Sequence, residues 1–167
     1  MKTIFTTVAI LVATWSLQAQ VNQTDKDFMK HAAEGGIMEV KLGQLAASNG
    51  SSQEVKELGR MMEEQHTKAN GELKALAAKK NVSLPADMTE KDQKTYKKLS
   101  ALQGKDFDKE YSDCMVKDHK EDISKFKAEA DKGGDADLKS WAAKTVPTLE
   151  HHLEMSKNTC KAVKNEK

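Results

Sequence analysis

The sequence has little proline, little cysteine and few aromatics: two prolines, two cysteines and 5% Phe, Trp and Tyr in 167 residues. So few aromatics, beside much Lys, Glu, Ala and Leu, disfavour strands and favour helix. Long apolar runs are also missing. The one such run, Ile4 to Trp15, follows Lys2 and is too short to span a bilayer. We read residues 1–19 as a signal peptide with Ala19 before the cut, and residues 20–167 as a single helical-bundle domain. No second apolar run follows, so no transmembrane segment is expected in the mature chain. No cysteine follows the run closely either, which argues against a lipid anchor.

Charge of one sign is the next absence. The chain has 27 Lys+Arg against 26 Asp+Glu, and removal of Lys2 with the signal leaves the two equal. A neutral total gives no electrostatic drive toward nucleic acid or an anionic membrane. Export would place the protein in the periplasm or cell envelope, with outer-membrane association open. Cys114 and Cys160 would then meet an oxidising compartment, as one disulfide or as two free thiols; we take the disulfide as the expectation.

What is present is helical periodicity. Four long patterns run over about 25–48, 51–80, 106–132 and 135–163. Gly50 suits the end of the first, and Ser51 with Glu54 reads as a capping box for the second. Gly133-Gly134 separates the last two. A short helix ending at Gly104 is expected in the long link between the second and third. Two tight hairpins joined by a long crossover form the ferritin-like version of a four-helix bundle; up-down-up-down order is the alternative. Pro147 removes a backbone donor inside the fourth helix and is expected to bend it.

Core stripes follow steps of three and four. They run through Phe28, Ala32, Gly35, Glu39, Leu42 and Ala46; through Val55, Gly59, Met62, His66, Ala69, Leu73 and Leu76; through Tyr111, Met115, His119, Ile123, Phe126 and Ala130; and through Leu138, Ala142, Thr145, Leu149, His152, Ser156 and Cys160. Each carries one ligand-type side chain near its middle: Glu39, His66, His119 or His152. His151 lies about 100° from His152 and should face water. Residue counting from the turns spreads the four Cα atoms over roughly 10 Å along the bundle, which favours a loose polar layer over one compact site. Gly35 and Gly36 lie across the first hairpin from His66, giving the imidazole room or letting helices approach. Residues 62–77 and 115–130 share Met, His and Lys-Ala-x-Ala at equal spacing, which one bundle grammar used twice explains.

At these positions the chain resembles a bacterial family of exported domains of unknown function, the one numbered 4142, grouped with the ferritin-like superfamily. The matching stretches are DKDFMKHAAEGGIMEVKLGQLAA (25–47), VKELGRMMEEQHTKANGELKALA (55–77), GKDFDKEYSDCMVKDHKEDISKF (104–126) and LKSWAAKTVPTLEHHLEM (138–155). The resemblance implies a fold and no activity, and it emphasises the same Glu39, His66, His119 and His152. The family more often has Asp where this chain has Gln65.

Two functions compete. The first is a non-catalytic exported bundle, structural, partner-binding or active in envelope stress, whose Glu/His layer is packed and hydrogen-bonded. The alternative is a ferritin-like metal site for iron, zinc or copper, with Glu39, His66, His119 and His152 as ligands backed by Glu63 and Asp122. Glu63-x-x-His66 has the spacing of carboxylate-bridged sites, but the fourth helix lacks a second such pair, so a complete di-iron oxidase site is not expected. No nucleophile motif marks a hydrolase, so enzyme activity is not the leading expectation.

Overall fold

The computed structural model describes residues 21–165. The expected signal segment lies outside them. Five helices follow in order: α1 (Gln23–Asn49), α2 (Gln53–Lys79), α3 (Glu90–Ser100), α4 (Gly104–Lys132) and α5 (Ala136–Asn165). Short polar side chains cap the free N–H groups that begin all of them but α4. Asn22 accepts from Asp25 N, Ser52 from Val55 N, Thr89 from Asp92 N and Asp135 from Leu138 N. The expected Ser51–Glu54 box is therefore displaced by one residue, because Ser51 is engaged elsewhere. Gly104, expected to close the short helix, instead opens α4 with a φ of +59°. The last helix runs unbroken through Pro147.

Side-chain clasps define the topology. The Asp108 carboxylate, near the start of α4, accepts from Ser51 N (3.0 Å), Ser52 N (2.8 Å) and the Ser51 hydroxyl, all in the α1–α2 turn. The Asp25 carboxylate, in the first turn of α1, accepts from Gly134 N and Asp135 N, both at 2.9 Å, in the α4–α5 turn. Thus α1 and α4 run antiparallel. Lys79 and Lys80, at the end of α2, bond Asp137 and Asp135 at the start of α5. The order is up, down, down, up, which is the ferritin-like arrangement and excludes the up-down-up-down alternative. The crossover carries α3 back along α1, held by Lys41–Asp87 (3.2 Å) and by Asn49 Nδ2 donating to the Leu102 carbonyl (3.0 Å).

The two hairpins echo one another. Asp25/Asp108, Phe28/Tyr111, Glu39/Asp122, Gly50/Gly133 and Ser52/Asp135 share one residue separation. Each hairpin's first helix supplies the aspartate that holds the other's turn. The relation pairs α1 with α4, whereas the local echo noted above paired α2 with α4; the fold does not use that one. Within the first hairpin the two backbones come close at Gly43 and Gly59. A Cβ on Gly43 would stand 2.5 Å from the Gly59 carbonyl oxygen, and one on Gly59 2.5 Å from Ala46 Cβ.

Apolar residues form two clusters along the bundle. One gathers Leu42, Val55, Leu58, Met62, Leu99, Phe107, Tyr111 and Met115; the other gathers Phe28, Met29, Leu73, Phe126, Leu138 and Leu149. Between them lie Glu39, His66, His119 and His152, all buried. Burial of apolar side chains at about 25 cal/mol per Å2 drives the packing on both sides. The polar layer is held in place by that packing.

Glu129 tucks under the Gly133-Gly134 turn beside Asp25, 4% exposed. Burial first, then the Asp25 charge, pushes its carboxyl up to about 7. A raised carboxyl binds its proton more tightly folded than unfolded, so stability is full below about pH 4.5 and falls as pH rises toward 7. Glu129→Gln should therefore melt like wild type at pH 5 and several degrees higher at pH 8, read as the difference between the two proteins at each pH. Equal melting at both would contradict the carboxyl pairing.

Candidate metal centre

Three imidazoles meet in the middle layer. His66 comes from α2, His119 from α4 and His152 from α5, and one ring nitrogen of each lies within 4.8 Å of the others. Their exposures are 7%, 0% and 1%. The expected 10 Å spread does not prevent this, because helical side chains lean toward the N-terminus of their own helix. By residue counting from the clasped turns, the His152 Cα sits about 4.5 Å to one side of His119 along the bundle, and His66 about as far to the other. Since α5 opposes α2 and α4, His152 leans back toward His66 while His66 leans toward His152. The offsets close.

Hydrogen bonding assigns the protons. His119 Nδ1 lies 3.0 Å from the Met115 carbonyl oxygen, which only accepts, so that nitrogen carries the hydrogen. His152 Nε2 lies 2.9 Å from Gln65 Oε1, so with the amide in this orientation the hydrogen of His152 is there. His119 Nε2 and His152 Nδ1 then present lone pairs to each other across 3.1 Å. Both rings are held neutral. Burial, then the neighbouring His119 and His151, press His152 down to about 3, and burial lowers His119. His66 is lowered by burial, then by His119 and His152, and its Nε2 has no protein partner. At metal–nitrogen bonds of about 2.0–2.1 Å, two tetrahedral ligands stand about 3.3 Å apart. The His119–His152 pair is already at that separation, and His66 reaches it by a side-chain adjustment of about 1–2 Å or less.

Glu39 takes a different place from the one expected. Its Oε1 approaches His119 at Nδ1, 3.8 Å away, on the side of the ring turned from His66 and His152. It stands behind a ligand histidine and is not in the cluster. Both of its oxygens are buried without a hydrogen-bond partner. Burial, then Asp118 and Asp122, raise its carboxyl well above the usual range, so its contact with neutral His119 is not an ion pair. The hydrogen bond that orients the His119 ring goes to the Met115 carbonyl, and Glu39 stands beside that bond without sharing it. The Tyr111 hydroxyl is also buried without a partner, and its ionisation is opposed by burial and then by Glu39.

The other expected site residues do not join. Glu63 accepts from Gln44 Nε2 at 2.9 Å toward the surface, so the Glu-x-x-His spacing does not build a bridging carboxylate. Asp122 bonds His31 Nε2 at 3.1 Å, beside the cavity next to the histidines. Cys114 and Cys160 are free thiols. The disulfide expectation is corrected: Cys114 Sγ turns along its own helix to Asp118 (3.1 Å), and Cys160 Sγ crosses to Asp113 (3.0 Å). His151 is exposed, as expected. The residue missed in the sequence is Gln65, the partner of His152. It lies off the core stripe, and its only signal was its place before His66, where the related family more often has Asp.

The fold and this layer define a four-helix bundle of the ferritin-like class. The chain belongs to the family described as a domain of unknown function, DUF4142, whose model matches residues 12–159. A crystal structure of a DUF305 fragment from Deinococcus radiodurans is similar in fold, with a TM-score of 0.75 over 85% of this chain and 98% of that one at 10% identity. No curated protein matches the chain. No described helix is long and apolar enough to cross a membrane.

Proposed function

We propose that this is an exported envelope protein whose buried histidine layer binds one first-row divalent transition-metal ion. What carries the reading is the meeting of three ring nitrogens within 4.8 Å of one another, with His119 Nε2 and His152 Nδ1 3.1 Å apart and both unprotonated in this orientation of Gln65, and with His66 Nε2 left unpartnered. A cation resolves this repulsion, and the carbonyl and amide oxygens behind the rings already orient them as ligands. Three neutral imidazoles suit zinc, copper and iron, with copper(II) expected to bind most tightly. No thiolate is in the cluster. The ligand set is three histidines, with Glu39 behind His119.

A second reading is a metal-free polar layer that fixes helix register, in a structural or envelope stress protein. It is favoured by the same 3.1 Å contact if the Gln65 amide is turned over, so that Gln65 Nε2 donates to His152 Nε2 and His152 Nδ1 donates to His119. Calorimetric titration of the mature protein, purified without a histidine tag and stripped with chelator, separates the two. The metal reading expects one zinc or copper ion per chain, with His151→Ala unchanged. The register reading expects no saturable binding.

A further inference from the structure

Beside the cluster lies a small cavity with about 30 Å3 of water-sized space. His66 and His152 border it, whereas His119 and Glu39 do not. Gly35 is on its wall, and a Cβ there would meet no heavy atom within 4 Å. At about 10–15 Å3 per water the cavity holds roughly two. Resting on the metal reading above, we propose that the bound ion keeps a coordination position open between His66 and His152, and that this position takes a ligand of one or two heavy atoms from the cavity.

Three arguments support this. A site with three protein ligands leaves first-row ions at least one position for water or substrate. The rear of His119 is closed by the Met115 carbonyl and Glu39, whereas His66, His152 and its partner Gln65 line the cavity, so the cavity is the side left open. The cavity wall has no lysine or arginine and includes Asp122, so the ion itself is the one positive charge a ligand would meet there, and the small volume is what limits the ligand. Asn70 and Thr148 on the same wall offer the polar contacts that a resident water needs. Size selects water or hydroxide, dioxygen, hydrogen peroxide or nitric oxide.

Nitric oxide on the anaerobic iron(II) protein is the probe. Paramagnetic resonance counts the iron–nitrosyl centres, and metal analysis of the same sample counts iron. Wild type should bind nitric oxide at close to one per iron. Gly35→Leu and Ala69→Leu, which grow into the cavity, should keep wild-type iron content and lose at least about nine-tenths of the signal. Gly71→Leu, on an exposed turn of α2 outside the cavity, should keep both. Iron bound in wild type without a nitrosyl signal would overturn the open position and leave the metal reading standing. Full signal in both cavity variants would overturn the cavity as its location. Absence of iron, zinc and copper binding in the wild type would remove the metal reading itself, and this inference with it. Circular dichroism confirms that each variant is folded; two variants on different helices keep the test decisive if one is not.

Discussion

His66→Ala and His152→Ala should each abolish saturable metal binding, and His151→Ala should bind as wild type does. The contrast is sharp because His151 and His152 are adjacent in sequence. His152 is 1% exposed and meets His119 at 3.1 Å, while the His151 ring faces water. Two remaining imidazoles make a poor chelate, since tight sites for these ions need three or four protein ligands. Glu39→Gln keeps the shape behind His119 and removes the ionisable acid. Glu39 makes no hydrogen bond to His119 and acts on a bound ion only through its charge, so this variant should lose less than about tenfold in affinity, below the roughly 10–100-fold of a hydrogen-bonded partner, and still saturate at one ion. Calorimetry reads all four proteins. Unchanged affinity in His152→Ala would sink the site. Unchanged affinity in Glu39→Gln would remove Glu39 from it and leave the histidines.

The largest stability effect is expected at Asp108. Asp108→Ala should lower unfolding free energy by about 3 kcal/mol or more, since hydrogen bonds to charged groups contribute about 1.5–3 kcal/mol each and several are lost together. The carboxylate is 1% exposed and receives both N–H groups of the turn that starts α2. Its removal strands those donors and takes a negative charge from a helix N-terminus. Asp25→Ala should do the same at the α4–α5 turn, through Gly134 and Asp135. Asp106→Ala, exposed in the first turn of the same α4, is the control and should cost less than about 1 kcal/mol. Urea unfolding at pH 7 measures the three. A midpoint for Asp108→Ala equal to that of the control would show that the clasp does not hold the hairpins together.

Helices and core stripes were legible because both rest on local periodicity. Glu39, His66, His119 and His152 fall on their stripes, and the structure buries all four. Helix ends were less legible. Ser51 and Ser52 are equally good caps in sequence, and the choice went to Ser52 because Asp108, 57 residues from Ser51, takes the Ser51 hydroxyl. The roles within the layer were less legible still. Glu39 looked like a ligand because it is the ligand-type side chain on its own core stripe, but it approaches the rear nitrogen of His119. Gln65 looked like a lost carboxylate and is the partner of His152.

By itself the sequence determined that this chain is helical, that its core has one polar layer, and which four side chains form it. Those properties follow from spacing along single helices, where a step of three or four residues returns to the same face whatever the neighbours are. The tertiary structure decided the rest. Clasps between the hairpins set the up-down-down-up order, and the opposed lean of side chains on α5 against α2 and α4 brought three imidazoles together. Which nitrogen faces which depends on the relative shift of helices far apart in the chain. Packing of the whole bundle fixes that shift, and no local stretch of sequence contains it.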